Sequence, residues 1–180
     1  MIETALGTSI AFTAPHRLAS KAGYDILEAG GTAVEAMVAA AAQIAVVYPH
    51  MNSIGGDGFW LIKKKGQSPV AISACGPAAE HATPKWYEKK GYTSFLPTRG
   101  PLAALTVPGT IAGWKLALEL DNPKHSIPLN ELLSAAVKKA KNGVAVTKNQ
   151  HDTLAVKKHE LASVSGFKDF YLDKGHEPEV

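Results

Sequence analysis

The sequence predicts a domain of mixed class, α/β or α+β, in which helices flank at least one β-hairpin. Several segments repeat apolar residues at the three- to four-residue spacing of a helix with one buried face. Two short apolar segments, residues 59–62 and 70–73, flank a turn that contains lysine and glycine, which is typical of an antiparallel hairpin. Helices and strands in this order favour a layered mixed fold.

The first predicted elements are a short strand over residues 10–13 and a helix over residues 16–29. Glycines 30 and 31 end this helix. A second helix begins after Thr32, because Thr32 and Glu35 have the spacing of a capping box. It is rich in alanine and continues to Pro49, so we expect it to be central and packed on several sides.

Glycines at positions 55, 56 and 58 predict a turn where chains approach closely, followed by a buried strand over residues 59–62. Residues 63–65 are three lysines, and we expect them to form a solvated hairpin tip. Downstream, Thr83 caps a helix that ends at Lys90, and Pro108-Gly109 leads into a helix over residues 111–120. Asn130 is expected to cap another helix through Lys141, and residues 150–180 are more polar.

Composition excludes several classes of function. The net charge of +3 is small and its lysines are dispersed, which argues against a nucleic-acid partner or an anionic membrane surface. The longest apolar run, residues 36–47, is too short to cross a bilayer. The single cysteine, Cys75, permits no internal disulfide, and the seven histidines lack metal-ligand spacing. We therefore expect a cytoplasmic protein without a metal or cofactor.

Two segments carry a resemblance to a known family. Residues 30–62 read GGTAVEAMVAAAAQIAVVYPHMNSIGGDGFWLI, and residues 104–114 read ALTVPGTIAGW. Together they resemble the N-terminal part of the gamma-glutamyltranspeptidase family of N-terminal-nucleophile hydrolases, over essentially the whole chain. Within that family, the sequence of residues 45–52 and 55–60 looks more like that of the oxamate amidohydrolase branch than that of the true transpeptidases.

The resemblance implies an α+β fold, the N-terminal portion of a four-layer αββα sandwich in which two stacked sheets lie between helices. Residues 1–180 would be the N-terminal portion of the large (alpha) subunit, incomplete as a folding unit. Members of the family are precursors that cut themselves into a large and a small subunit. The expected partners are therefore that small subunit, a small amide substrate and, in a homo-oligomer of heterodimers, further copies.

The family's nucleophile is the N-terminal threonine of the small subunit, which uses its own α-amine as base. Thr32, Thr106 and Thr110 have their amines in peptide bonds and are poor candidates. We therefore expect no catalytic residue in this chain, which would contribute walls and substrate contacts.

The expected substrate contacts are Arg99, Cys75 and Gly76. In the transpeptidases, an arginine shortly after the second hairpin strand grips the α-carboxylate of the glutamyl donor, but residues 72–77 read ISACGP and contain none. Arg99 is the nearest downstream cation for a substrate carboxylate, with a solvated loop arginine as the alternative.

Cys75, Asp57 and His50 could act in the site, but each also has a purely structural interpretation, which the sequence favours. A free cysteine packs as a small hydrophobe, so Cys75 is expected to be buried and inert. Asp57 is expected to bond to turn amides, and His50 to cap or pack rather than to bind metal.

These features predict a segment of an amidohydrolase that acts on a small amide acid such as oxamate. The alternative enzymatic function is that of a gamma-glutamyl transferase or hydrolase acting on glutathione-like substrates. A non-catalytic scaffold or remnant is the alternative of another class.

Overall fold

The computed structural model describes residues 6–121, 123 and 126–180. The chain forms a bundle of helices with a two-stranded antiparallel sheet packed against it, in agreement with the predicted α+β class. The helices are α1 (Arg17–Glu28), α2 (Ala33–Val47), α3 (Pro84–Lys89), α4 (Thr110–Asp121), α5 (Leu129–Leu132), α6 (Ser134–Asn142), α7 (Lys148–Leu161) and α8 (Phe167–Tyr171), and the strands are β1 (Gly58–Ile62) and β2 (Val70–Ala74).

Helix α2 is the centre of the molecule, as its alanine content predicted. It contacts α1, α4, α5 and α6. The main core consists of Val38, Ala39, Ala42, Trp114, Leu132 and Ala136. Small alanine side chains let the neighbouring helices approach α2 closely, so the helix is enclosed along most of its length.

The capping box at the start of α2 is present and extends further than predicted. Thr32 Oγ1 accepts from the Glu35 amide at 3.1 Å, and Glu35 Oε2 accepts from the Thr32 amide at 2.8 Å. The second carboxylate oxygen, Oε1, accepts from the Ile127 amide at 2.7 Å. Because Glu35 is only 1% exposed, this one carboxylate joins the start of α2 to the segment before α5 inside the protein.

The sheet is a hairpin in which Gly58 lies opposite Ala74 and Trp60 opposite Ile72. One face packs on α4, where Ile72 and Ala74 join Val34 and Ala117 in a second core cluster. The prediction of the hairpin is confirmed.

The expectation of a buried strand over residues 59–62 is wrong. Phe59 is 74% exposed and Leu61 is 78% exposed. Successive side chains of a strand point to opposite faces, and within the described residues Trp60 packs on the core while Phe59 and Leu61 stay exposed. The hairpin therefore has one covered face and one open apolar face.

Helix α4 is tied to the hairpin at both of its ends. At its start, the Thr110 amide donates to the Gly56 carbonyl at 3.0 Å. At its end, Lys64 Nζ donates to the carbonyls of Leu120 (2.9 Å) and Asp121 (2.7 Å). The expectation of a wholly solvated lysine tip is thus wrong for Lys64, because an ammonium group satisfies the last carbonyls of a helix and the negative end of its dipole.

Two other predicted elements differ from the structure. Residues 10–13 form no strand, because the Phe12 ring packs against Gly23 of α1 and the segment pairs with no strand of the described part of the chain. The helix expected over residues 130–141 is divided into α5 and α6. Pro128, rather than Asn130, precedes the first turn, and its carbonyl accepts from the Leu132 amide.

The Glu35 carboxylate generates a stability prediction. We expect Glu35→Ala to lower the free energy of unfolding by about 3 kcal/mol, because the buried amides of Thr32 and Ile127 would lose a charged acceptor. Urea denaturation followed by circular dichroism measures the change. Glu131→Ala, which removes an exposed carboxylate from α5, is the control and should stay within about 0.5 kcal/mol. Equal losses in the two variants would contradict the role given to Glu35.

Candidate functional site

Three segments meet at one end of the hairpin: the glycine turn (residues 55–58), the end of β2 (residues 74–77) and the start of α4 (residues 107–110). We call this region the junction. Its centre is the carbonyl of Gly56, which accepts from the Gly109 amide at 3.1 Å, the Thr110 amide at 3.0 Å and Thr110 Oγ1 at 2.7 Å. The carbonyl thereby satisfies a donor at the start of α4 and fixes the glycine turn against that helix.

Two glycines of the junction allow backbones to touch. A Cβ on Gly76 would overlap the backbone of Val107, and a Cβ on Gly109 would overlap the carbonyl of Ala74. The Val107 amide also donates to the Pro77 carbonyl at 3.0 Å. The end of β2 is therefore held between two backbone contacts that leave no room for a side chain.

Cys75 lies between these two contacts, and it is exposed. The expectation of a buried cysteine is wrong for a simple reason. Ile72 and Ala74 point into the core, so by strand alternation Ser73 and the residue after Ala74 point away from it. The structure thus presents the Cys75 side chain on the surface at a position whose backbone is fixed, with the half-buried Gly76 beside it.

Arg99 lies elsewhere, against α7. Its Nε donates to Glu160 Oε1 at 2.5 Å, and Glu160 Oε2 accepts from Lys157 at 2.7 Å. The hydrogen bonds from Lys157 and Arg99 lower the pKa of the Glu160 carboxyl, so that group stays ionised. No hydrogen bond or ion pair among the described residues joins Arg99 to Cys75 or Gly76.

The terminal Nη groups of Arg99 make no hydrogen bond within the described residues, and the side chain is 50% exposed. Its guanidinium is therefore anchored through Nε, and the end of the fork remains open. An open fork of this kind can accept a carboxylate with two parallel hydrogen bonds.

Asp57 does not hold the glycine turn. Its side chain is exposed and bonds to none of the described residues, and Ser53 Oγ instead accepts from the Gly55 amide at 2.8 Å. The expected bond from Asp57 to turn amides is thus wrong, because a hydroxyl two residues before Gly55 already fills that role.

His50 packs as expected. Its ring meets that of Tyr48 edge-on, with 4.3 Å between centroids, and its Nε2 lies 2.8 Å from Asn149 Oδ1. Among the described residues, no three His, Cys, Asp or Glu side chains are grouped as a metal site would require. In the same part of the chain, no helix has the length and apolar character needed to cross a membrane.

A cleft of about 530 Å³ lies beside the junction, between α2 and β1. The polar residues along it are Asn52, Ser53, Asp57, Lys63 and Thr110, and its apolar wall includes Val34 and Met37. The sequence signal for the structural role of Thr110 is its place directly after Pro108-Gly109, which marks it as a helix-start residue. No pattern in the sequence predicts the role of Glu160, because its contact with Arg99 joins residues far apart in the chain.

Comparison with known proteins identifies the family. Residues 19–180 match the family described as gamma-glutamyltranspeptidase. The chain belongs to the gamma-glutamyltranspeptidase family. It is 47% identical to the oxamate amidohydrolase proenzyme of Klebsiella pneumoniae over 92% of the chain and 31% of that protein. It is 35% identical to a glutathione hydrolase-like proenzyme of Bacillus subtilis, over 99% of the chain and 33% of that protein.

The fold agrees with this assignment. The structure superimposes on the gamma-glutamyltranspeptidase of Helicobacter pylori with a TM-score of 0.82 at 28% identity, covering 98% of the chain and 51% of that structure. The elements described above are therefore the N-terminal portion of the N-terminal-nucleophile hydrolase fold. The chain spans about a third of the length of each of the two relatives named above.

The backbone contacts of the junction generate a second prediction. We expect Gly76→Ala to lower stability by about 3 kcal/mol or more, because its Cβ would displace the Val107 backbone. Gly56→Ala is the matched control in the same junction. Its Cβ would enter open space, so we expect a change within about 1 kcal/mol. Urea denaturation compares the two, and a tolerated Gly76→Ala would refute the close packing described here.

Proposed function

We propose that this chain is a large-subunit segment of an autoprocessed amidohydrolase that cleaves a small amide acid such as oxamate. The observation that carries the proposal is the 47% identity, over 92% of the chain, to a protein named oxamate amidohydrolase proenzyme. The word proenzyme in the names of that relative and of the Bacillus relative supports a processed, two-chain product.

The proposed reaction is acyl transfer through an N-terminal threonine on the second chain. The threonine hydroxyl gives its proton to the α-amine and attacks the amide carbonyl. The protonated α-amine gives this proton to the amide nitrogen, which leaves as ammonia, and an acyl-enzyme remains. Water then attacks the ester, releases the acid and regenerates the hydroxyl. This chain would supply part of the pocket wall, and Cys75 and Gly76 are the residues we assign to it.

Recognition of the substrate carboxylate is assigned to Arg99. Residues 72–77 offer no arginine, and the open end of the Arg99 fork suits a carboxylate. Glu160 holds the guanidinium through Nε alone, so a substrate need not displace it.

A gamma-glutamyl hydrolase is the second candidate. It is favoured by the 35% identity to a protein named glutathione hydrolase-like proenzyme over 99% of the chain. The lack of an arginine at residues 72–77 weighs against it, because a glutamyl donor needs its α-carboxylate held there or by a cation from elsewhere.

We further propose a cytoplasmic heterodimer that can form homo-oligomers. The open apolar face with Phe59 and Leu61 supports a partner chain, since exposed apolar sheet faces favour association. The alternative of a scaffold or remnant is tested by mass spectrometry of the natural product. A second chain that begins with threonine would exclude it, and a lone inactive chain would support it.

The substrate prediction is direct. We expect the processed enzyme to release ammonia from oxamate and to leave a gamma-glutamyl anilide intact. An ammonia assay and the absorbance of the freed anilide measure the two reactions in parallel. Anilide release without ammonia from oxamate would favour the second candidate and overturn the first.

The Arg99 prediction concerns affinity. We expect Arg99→Ala to raise the KM for oxamate by roughly ten- to hundredfold, because a charge-assisted bidentate contact is lost, with a smaller change in kcat. Lys157→Ala is the control, since it removes the other cation on Glu160 and leaves Arg99 in place. Steady-state kinetics with oxamate and with neutral oxamide separate charge recognition from general damage. An unchanged KM for oxamate in Arg99→Ala would assign Arg99 to the solvated surface.

A further inference from the structure

We propose that Thr110 is a positioning residue whose hydroxyl, through Gly56, sets the place of Cys75 and Gly76 in the pocket wall. The inference rests on the proposed function in one respect, namely that Cys75 and Gly76 contact the substrate. The geometry that supports the positioning itself is independent of any substrate.

The hydroxyl of Thr110 is engaged in the interior. Thr110 is 8% exposed, and Oγ1 lies 2.7 Å from the Gly56 carbonyl oxygen, to which it donates. The amides of Gly109 and Thr110 converge on the same oxygen. The side chain therefore adds the shortest of the contacts that hold the glycine turn against α4.

A shift of the glycine turn would change the position of Cys75 through two sets of contacts. Gly58, at the end of the turn, pairs with Ala74 in the hairpin, and Cys75 follows Ala74 directly. Gly109 bonds to Gly56 on one side and touches the Ala74 carbonyl on the other. The start of α4 thus contacts both strand ends, so a change in how Gly56 is held is passed to the end of β2.

The effect of the hydroxyl can be separated from folding. In Thr110→Val the shape of the side chain is kept, and the Gly56 carbonyl retains both amide donors, so it is not left unpaired. Thr110→Ser restores the hydroxyl without the methyl group. Thr147→Val is the matched control. Thr147 caps the start of α7, where its hydroxyl accepts from the Gln150 amide at 3.1 Å, and it lies outside the junction.

The first measurement is the rate at which iodoacetamide labels Cys75 in the processed enzyme, read from the peptide of residues 66–85 by mass spectrometry. We expect Thr110→Val to change this rate by about fivefold, the effect of losing one hydrogen bond, and Thr110→Ser to restore it. Thr147→Val should match the parent protein. A parent-like rate in Thr110→Val, or an equal change in Thr147→Val, would overturn the positioning role.

The second measurement is steady-state kinetics with oxamate. We expect Thr110→Val to raise KM by about fivefold with a smaller change in kcat, and Thr110→Ser to recover the parent value. A changed labelling rate with an unchanged KM would uphold the positioning of Cys75 and refute its place in the pocket. The failure of the inference and the failure of the proposed function are therefore distinguishable.

Discussion

The carbonyl of Gly56 is the interaction on which the arrangement of the site depends. It accepts three hydrogen bonds from the start of α4 and so joins the glycine turn, the helix and, through Gly109, the end of β2. Each partner is a backbone group or a short side chain, so few rotatable bonds separate them. Hydrogen bonds of this kind restrict the positions that the three segments can take relative to one another.

The hydrophobic core holds the hairpin that carries this site. Helix α2 is enclosed by α1, α4, α5 and α6, and Glu35 fixes its first turn to the Ile127 amide. Trp60 packs against both core clusters and so connects the hairpin to this framework. The result is a hairpin with one rigidly supported face and one open face, as suits a segment that forms part of a larger sandwich.

Local sequence signals accounted for most of the fold. The capping box of Thr32 and Glu35, the glycine turn and the hairpin were predictable because each depends on residues close together in the chain. The exposure of Cys75 was predictable in principle from strand alternation, but general burial statistics for cysteine outweighed it. The contacts from Arg99 to Glu160, from Lys64 to the end of α4 and from Glu35 to Ile127 join residues far apart, and no local pattern encodes them.

The two attachments of α4 have a consequence for how this region can change during evolution. A helix of 12 residues is about 18 Å long. A strand of five residues reaches about 17 Å, so the helix and the hairpin are matched in length. Inserting or deleting one residue in α4 would turn part of the helix surface by about 100° against the sheet, and the same change in a strand would reverse which side chains face α4. Length variation should therefore be confined to the connecting loops, while α4 and the hairpin vary only by substitution.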